Sequence, residues 1–191
     1  MAGAAYFKNF TARVSLGTIC RRRIRCHAKR GPKDIFIRPM SAIPNRRANA
    51  AVLIGNGNAC VLWQIMSNEL ASPIILRCPA DTKRTAATNF NVGFTDANIS
   101  HFFSLDAADT YPQMILDGDD NLAINGVRVK PGILNLPITN SLAWTKERHH
   151  GVGNIGMADG SAQQTTTRSF YSAVIAATNG APAGTYRLVI P

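Results

Sequence analysis

The segment from Trp144 to Gln164 reads WTKERHHGVGNIGMADGSAQQ and carries the clearest indication of fold in the chain. Its two short runs of apolar and small residues flank Asp159-Gly160. Asp-Gly is a preferred pair for tight hairpin turns, because the turn residues adopt positive φ. We therefore predict a β-hairpin with Asp159 and Gly160 as its two turn residues, which pairs Met157 with Ala162.

Similar patterns extend the prediction along the chain. Asn125-Gly126 lies between two apolar triplets and predicts a second hairpin. Apolar residues at three- and four-residue steps predict a helix over residues 59–70, ended by Pro73, and a short helix over residues 167–178. The remaining predicted strands are residues 74–76, residues 98–105, residues 111–116 closed by Asp117-Gly118, and residues 186–190 as an edge strand or tied-down tail. The fold class is α+β: a small antiparallel β-sheet head with a preceding helix and a short C-terminal helix.

Charge divides the chain into two parts. The net charge is +10, but residues 1–47 hold twelve basic side chains against one acidic, whereas residues 48–191 hold nine against ten. We predict a basic, poorly patterned segment over residues 1–47 and a globular domain over residues 48–191. The basic segment could bind nucleic acid through phosphate neutralisation, which is the alternative function. Its Arg21–Arg25 cluster has no interleaved aromatic residue, so nucleic acid is not the favoured partner.

Cysteine spacing indicates no zinc site. The four cysteines form no C-x2-C pair, and His27 beside Cys26 does not complete a ligand set. Two alternatives stay open for Cys60 and Cys78. They form a disulfide if the domain lies outside the cytoplasm, or they are buried free thiols.

The acidic run at residues 117–121 is a candidate calcium loop. Its spacing makes Asp117, Asp119 and Asn121 candidate ligands, because calcium takes oxygen donors at alternating positions. Leu122 and Arg128 stand where the loop template requires glycine and glutamate. We therefore favour a solvated polar turn and predict no cofactor, with calcium as the alternative.

No catalytic motif is recognised in the sequence. There is no G-x-S-x-G, no phosphate-binding glycine loop and no H-E-x-x-H. Asp159-Gly160-Ser161 is explained by the hairpin. We predict that the protein is not an enzyme.

The spacing from His149 to Asp159-Gly160 resembles a known family motif. His149, nine residues, then Asp-Gly is similar to the H-x9-DG motif of the processing-associated C-terminal domain of bacterial prepilin-type, pseudopilin-like proteins. Residues 66–73, 78–84, 98–100 and 187–191 resemble further parts of that family in the same order. The resemblance implies a structural component of a type II secretion or type IV pilus-like assembly, with pilin-like subunits as partners. His149, Asp159 and Gly160 carry over as structural motif positions.

The N-terminus departs from that family. A prepilin has about twenty apolar residues after its leader, whereas Phe10-Thr11 is followed here by Ala12-Arg13 and no apolar run. We expect residues 1–47 to reflect a frameshifted, truncated or misread gene start, which the upstream DNA read in three frames tests. The family implies the bacterial cell envelope. If the helix is genuinely missing, we expect no membrane contact and a cytoplasmic location.

Overall fold

The computed structural model describes residues 58–108, 110–136, 142–179 and 186–191. Within these residues the protein has an α+β fold, as the sequence predicts. The prediction for residues 1–47 lies outside the described part. No helix in the described ranges is both long enough and apolar enough to cross a membrane.

The strands of the described residues form two antiparallel sheets. They are β1 (His101–Ser104), β2 (Ile115–Asp119), β3 (Leu122–Ile124), β4 (Val127–Arg128), β5 (Gly132–Asn135), β6 (Leu142–Trp144), β7 (Val152–Met157), β8 (Ala162–Thr166) and β9 (Arg187–Ile190). The larger sheet has the order β5-β9-β1-β2-β7-β8, and the smaller has the order β4-β3-β6. Because β2 and β3 are separated by only two residues, the chain passes from one sheet to the other at Asp120 and Asn121.

The predicted N-terminal helix is present in two pieces. α1 (Ala59–Ile65) and α2 (Ser67–Leu70) are separated by Met66, whose backbone leaves the helical conformation. Trp63 is buried and meets Phe103 of β1 edge-on, with ring centroids 5.5 Å apart. This contact fixes α1 against the larger sheet, since edge-to-face aromatic pairs add to the stabilisation from burial.

The predicted C-terminal helix is confirmed as α3 (Thr167–Asn179). Phe170, Val174 and Ala177 recur at helical spacing and are buried. The Phe170 ring stacks on the Trp144 ring of β6 at a centroid distance of 4.3 Å. α3 therefore joins the smaller sheet to the hairpin of the larger one.

One hairpin matches its prediction and the other differs by one residue. Ile124 pairs with Val127 across Asn125 and Gly126, which both have positive φ. In the β7–β8 hairpin Gly156 pairs with Ala162, so the predicted pairing of Met157 with Ala162 is wrong. The loop has three residues, with Gly160 in the left-handed conformation at φ 83°, because a type I turn followed by a bulge uses one residue more than a two-residue turn.

Three other strand predictions were wrong in detail. Pro73–Leu76 is a 3₁₀ turn rather than a strand, and its Ile74 and Ile75 are exposed. β2 runs through Asp117-Gly118 instead of ending before them. β9 lies between β5 and β1, so it is an internal strand and not an edge. Local sequence does not record which strands a segment will pair with.

The packing of α3 leads to a stability prediction. We expect Phe170→Ala to lower the free energy of unfolding by about 3–5 kcal/mol, because it removes a fully buried ring and leaves a cavity. Val92→Ala is the matched control, since this side chain is 78% exposed and its truncation should cost about 0.5 kcal/mol or less. Urea denaturation of both variants measures the difference. If the two substitutions lowered the free energy of unfolding equally, the buried packing of Phe170 would be contradicted.

Candidate functional site: a buried charge cluster beside His149

A buried guanidinium lies directly before the motif histidine. Arg148 has a side chain only 4% exposed and donates to the backbone oxygen of Ser100 at 3.2 Å. It forms ion pairs with Asp120 and with Asp81, the latter at 3.2 Å. Arg148 therefore joins three segments that are distant in sequence: the turn after the Pro73–Leu76 helix, the start of β1 and the crossing between the two sheets.

A second arginine completes this cluster. Arg84 lies 3.2 Å from Asp81 and 2.5 Å from Asp120, and it also donates to the backbone oxygen of Pro191 at 3.2 Å. Each of the two carboxylates thus contacts both guanidinium groups. We call Asp81, Arg84, Asp120 and Arg148 the arginine cluster.

The arginine cluster keeps Asp81 ionised. Burial opposes its ionisation, but the hydrogen bond from Ser100 at 2.8 Å and the charges of Arg148 and Arg84 outweigh burial and hold the pKa of Asp81 below its ordinary value. The charged side chains are therefore compensated by partners inside the protein.

His149 lies next to the arginine cluster and contacts two further groups. Its Nε2 is 3.2 Å from Cys78 Sγ and 3.6 Å from Asp119 Oδ2. Among groups of His, Cys, Asp and Glu in the described residues, these three have ligand atoms within 4.8 Å of one another, so they could hold a metal ion. We call Cys78, Asp119 and His149 the ligand triad.

The backbone at His149 has a strained, left-handed conformation, and this conformation directs the imidazole ring toward Cys78 and Asp119. His149, His150 and Gly151 have φ values of 52°, 55° and 84°, all in the left-handed region. This conformation costs roughly 1–2 kcal/mol per non-glycine residue. The buried contacts of Arg148, just before the reversal, and of His149, at its start, offset that cost and hold the ring toward Cys78 and Asp119.

The ligand triad does not have the arrangement of a nucleophilic triad. There the nucleophile and the carboxylate contact opposite nitrogens of the histidine, so that a proton can be taken up at one and charge stabilised at the other. Here both Cys78 and Asp119 approach the same atom, Nε2. In addition, burial and the Asp119 charge raise the pKa of the Cys78 thiol, which disfavours the nucleophilic thiolate.

Both described cysteines are free thiols. Cys78 is buried and Cys60 is half-buried, so of the two alternatives from the sequence only Cys78 has the character of a buried free thiol. Cys60 lies at the start of α1 near Asp96; burial and that carboxylate raise its thiol pKa to about 11. Cys78 instead contacts His149.

Asp119 is held by groups from two neighbouring strands. The backbone and side-chain amides of Asn154 donate to Asp119 Oδ2 at 2.8 and 3.0 Å. His101 Nδ1 is 3.8 Å from Asp119 Oδ1. Burial lowers the pKa of His101, although the Asp119 charge acts in the other direction.

The acidic run is not the solvated turn that its composition indicates. Asp117, Asp119 and Asn121 are at most 2% exposed. Asn121 donates to the backbone oxygen of Thr145 at 3.3 Å, and Asp117 Oδ1 has no hydrogen-bond partner among the described residues. Asp119, one of the three calcium candidates, lies with a thiol and an imidazole, a donor set that suits transition metals better than calcium.

The H-x9-DG spacing corresponds to one strand. His149 lies in the turn with positive φ before β7, and Asp159 and Gly160 lie in the loop after β7. Asp159 accepts a hydrogen bond from the Ser161 backbone amide at 2.8 Å, which stabilises the loop. The motif residues therefore mark the two ends of β7 and do not form a common site.

A shallow groove of ≈ 190 Å³ lies over the arginine cluster. Its rim includes Lys83 and Arg128, which both contact Glu147, while Arg84 and Arg148 line its floor. Every cationic side chain of this groove has a carboxylate partner. The groove therefore offers no unpaired cation for an anionic ligand.

Sequence reasoning found His149, Asp159 and Gly160 but missed the residues that surround His149. No sequence pattern marks Arg148, Asp81 and Arg84 as buried partners, and Cys78 was considered only as a thiol or disulfide partner. The sequence signal for this cluster is the placement of acidic residues and arginines among apolar strands.

No family model matches the chain, and no curated protein or solved structure matches it either.

The burial of Arg148 leads to a mutational prediction. We expect Arg148→Met to lower the free energy of unfolding by about 3–5 kcal/mol, because it leaves two buried carboxylates without a main partner. Arg128→Met is the matched control. It breaks a pair whose two side chains are 39% and 38% exposed, which should cost about 1 kcal/mol or less. A similar, small loss in both variants during urea unfolding would refute the structural role.

Asp117 leads to a pH prediction. Burial and the charge of Asp119 raise its pKa to about 7, so the folded state binds a proton that the unfolded state has lost. This group therefore destabilises the fold progressively as pH rises from about 4 to 7. We expect Asp117→Asn to gain stability relative to the wild type between pH 5 and pH 8. Parallel stability curves for the two proteins would show that Asp117 ionises normally.

Proposed function

We propose that this protein is a structural, non-catalytic component of a pseudopilin-like assembly, and that its described domain is the head of that component. The single observation that carries the proposal is the way the H-x9-DG segment is used. Its histidine is fixed at one end of β7 and its Asp-Gly closes the hairpin at the other. A motif that defines the geometry of a strand suits an assembly domain.

The chemistry around His149 supports a non-catalytic role. The charges of the arginine cluster are paired with one another, and the Cys78 thiol is buried and disfavoured as a nucleophile. Both neighbours of His149 approach the same nitrogen, which does not provide a relay. These contacts stabilise the fold and do not form a proton relay through His149.

The order of elements also supports the proposal. α1 precedes the sheet and packs against it through Trp63 and Phe103. The resemblance likewise implies a small α+β head that follows an N-terminal helix. The proposed partners are therefore other pilin-like subunits, and the proposed location is the bacterial cell envelope.

Photo-cross-linking of the full chain in its own host tests this proposal. A photoreactive residue is introduced at Val92 or Val127, which are 78% and 68% exposed and so should tolerate replacement. We expect adducts with a second copy or with subunits that carry an N-terminal apolar helix of about twenty residues. Glu69 in α2, which is half-buried, provides a third position for comparison.

Two results would contradict the proposal. One is the absence of subunit adducts from every position in cells where the protein is expressed and folded. The other is salt-sensitive binding of DNA or RNA that is lost when residues 1–47 are deleted, which would favour the nucleic-acid alternative.

A further inference from the structure

The ligand triad brings three different metal-binding groups together from three segments. Cys78 follows the Pro73–Leu76 turn, Asp119 ends β2, and His149 begins the turn before β7. Their ligand atoms lie within 4.8 Å of one another. The ligand triad shares no residue with the arginine cluster but lies beside it, and the charge of Arg148 acts on both Asp119 and Cys78.

The two distances that involve His149 lie within about 0.4 Å of those around a tetrahedral ion. Zinc binds sulfur at about 2.3 Å and nitrogen or oxygen at about 2.0–2.2 Å, so a sulfur and a nitrogen ligand of one tetrahedral ion lie roughly 3.6 Å apart, and a nitrogen and an oxygen ligand roughly 3.4 Å apart. The observed separations are 3.2 Å from Cys78 Sγ to His149 Nε2 and 3.6 Å from Nε2 to Asp119 Oδ2. The first is also a hydrogen-bond distance, and the second is too long for a hydrogen bond but within the range of an ion pair.

We propose that Cys78, Asp119 and His149 bind a divalent transition-metal ion of the zinc class. Thiolate, imidazole and carboxylate are all zinc ligands, and the thiolate disfavours calcium and magnesium. Three protein ligands leave the fourth position to water. The ion would connect the loop at Cys78, the end of β2 and the start of β7.

The surroundings of Asp119 suit a ligand. Asn154 orients the carboxylate with two hydrogen bonds to Oδ2, as groups around metal ligands commonly do. A carboxylate has about four lone-pair positions, two on each oxygen, so the acceptor capacity that Asp119 keeps beyond these two bonds lies on Oδ1.

Charge and access also favour a cation here. The three buried carboxylates of Asp81, Asp119 and Asp120 face the two guanidinium groups of Arg84 and Arg148, which leaves one formal negative charge. The His149 side chain is 12% exposed, so one member of the ligand triad borders on solvent.

Cobalt(II) is a direct probe, because thiolate-bound tetrahedral Co²⁺ has charge-transfer and d–d absorption bands. The full chain is prepared with Cys20→Ser, Cys26→Ser and Cys60→Ser, so that Cys78 is its only thiol. We expect one equivalent of Co²⁺ to produce both bands and Zn²⁺ to abolish them. Adding Cys78→Ser should remove the charge-transfer band.

Matched histidine variants separate a ligand from its neighbour. His149→Asn and His150→Asn both keep a residue that tolerates the left-handed backbone at these positions. We expect His149→Asn to weaken Co²⁺ binding by on the order of 100-fold or more and His150→Asn to leave it unchanged. Asn154→Ala should keep the bands and weaken binding by about 10–100-fold.

The proposal is overturned if the folded protein shows no thiolate-to-cobalt band with Co²⁺ in excess. It is also overturned if Co²⁺ binds with equal affinity to the His149→Asn and His150→Asn proteins. If the serine substitutions prevent folding, the comparison is made in the otherwise wild-type chain. There the proposal requires Cys78→Ser to lose one equivalent of thiolate-bound Co²⁺, and an unchanged stoichiometry refutes it.

Discussion

The buried guanidinium of Arg148 is the interaction on which the arrangement of the domain depends. Removing such a group from water costs several kcal/mol, and only close partners with good geometry offset that cost. Arg148 obtains them from Asp81, Asp120 and the backbone oxygen of Ser100. Because these partners come from separate segments, the charge is satisfied only when the segments are assembled. The cluster therefore selects one arrangement of the loops around the sheets.

This constraint acts at the start of β7, where two consecutive residues make buried contacts with distant segments. Arg148 points into the arginine cluster and the next residue, His149, contacts Cys78 and Asp119. The reversed backbone at residues 149–151 allows both contacts before β7 begins. At the other end, Gly160 closes the loop to β8. One short segment thus connects the charge cluster, the ligand triad and the sheet.

Short sequence patterns predicted those elements that depend only on residues close together in the chain. The Asn125-Gly126 hairpin needs only two positive φ angles, and α3 follows from the spacing of Phe170 and Val174. Long-range pairing was not predictable in the same way. Residues 117–121 read as a polar turn, since their burial depends on partners far along the chain. The central position of β9 likewise depends on pairing with β1 and β5.

A double-mutant cycle on Arg148 and Asp120 tests this central role most directly. Unfolding free energies are measured for the wild type, Arg148→Met, Asp120→Asn and the double variant, beside the same cycle on Arg128 and Glu147. We expect a coupling energy of about 2–3 kcal/mol for the buried pair, at the upper end for residues in one network, and near zero for the exposed pair. Additive effects at Arg148 and Asp120 would contradict the account.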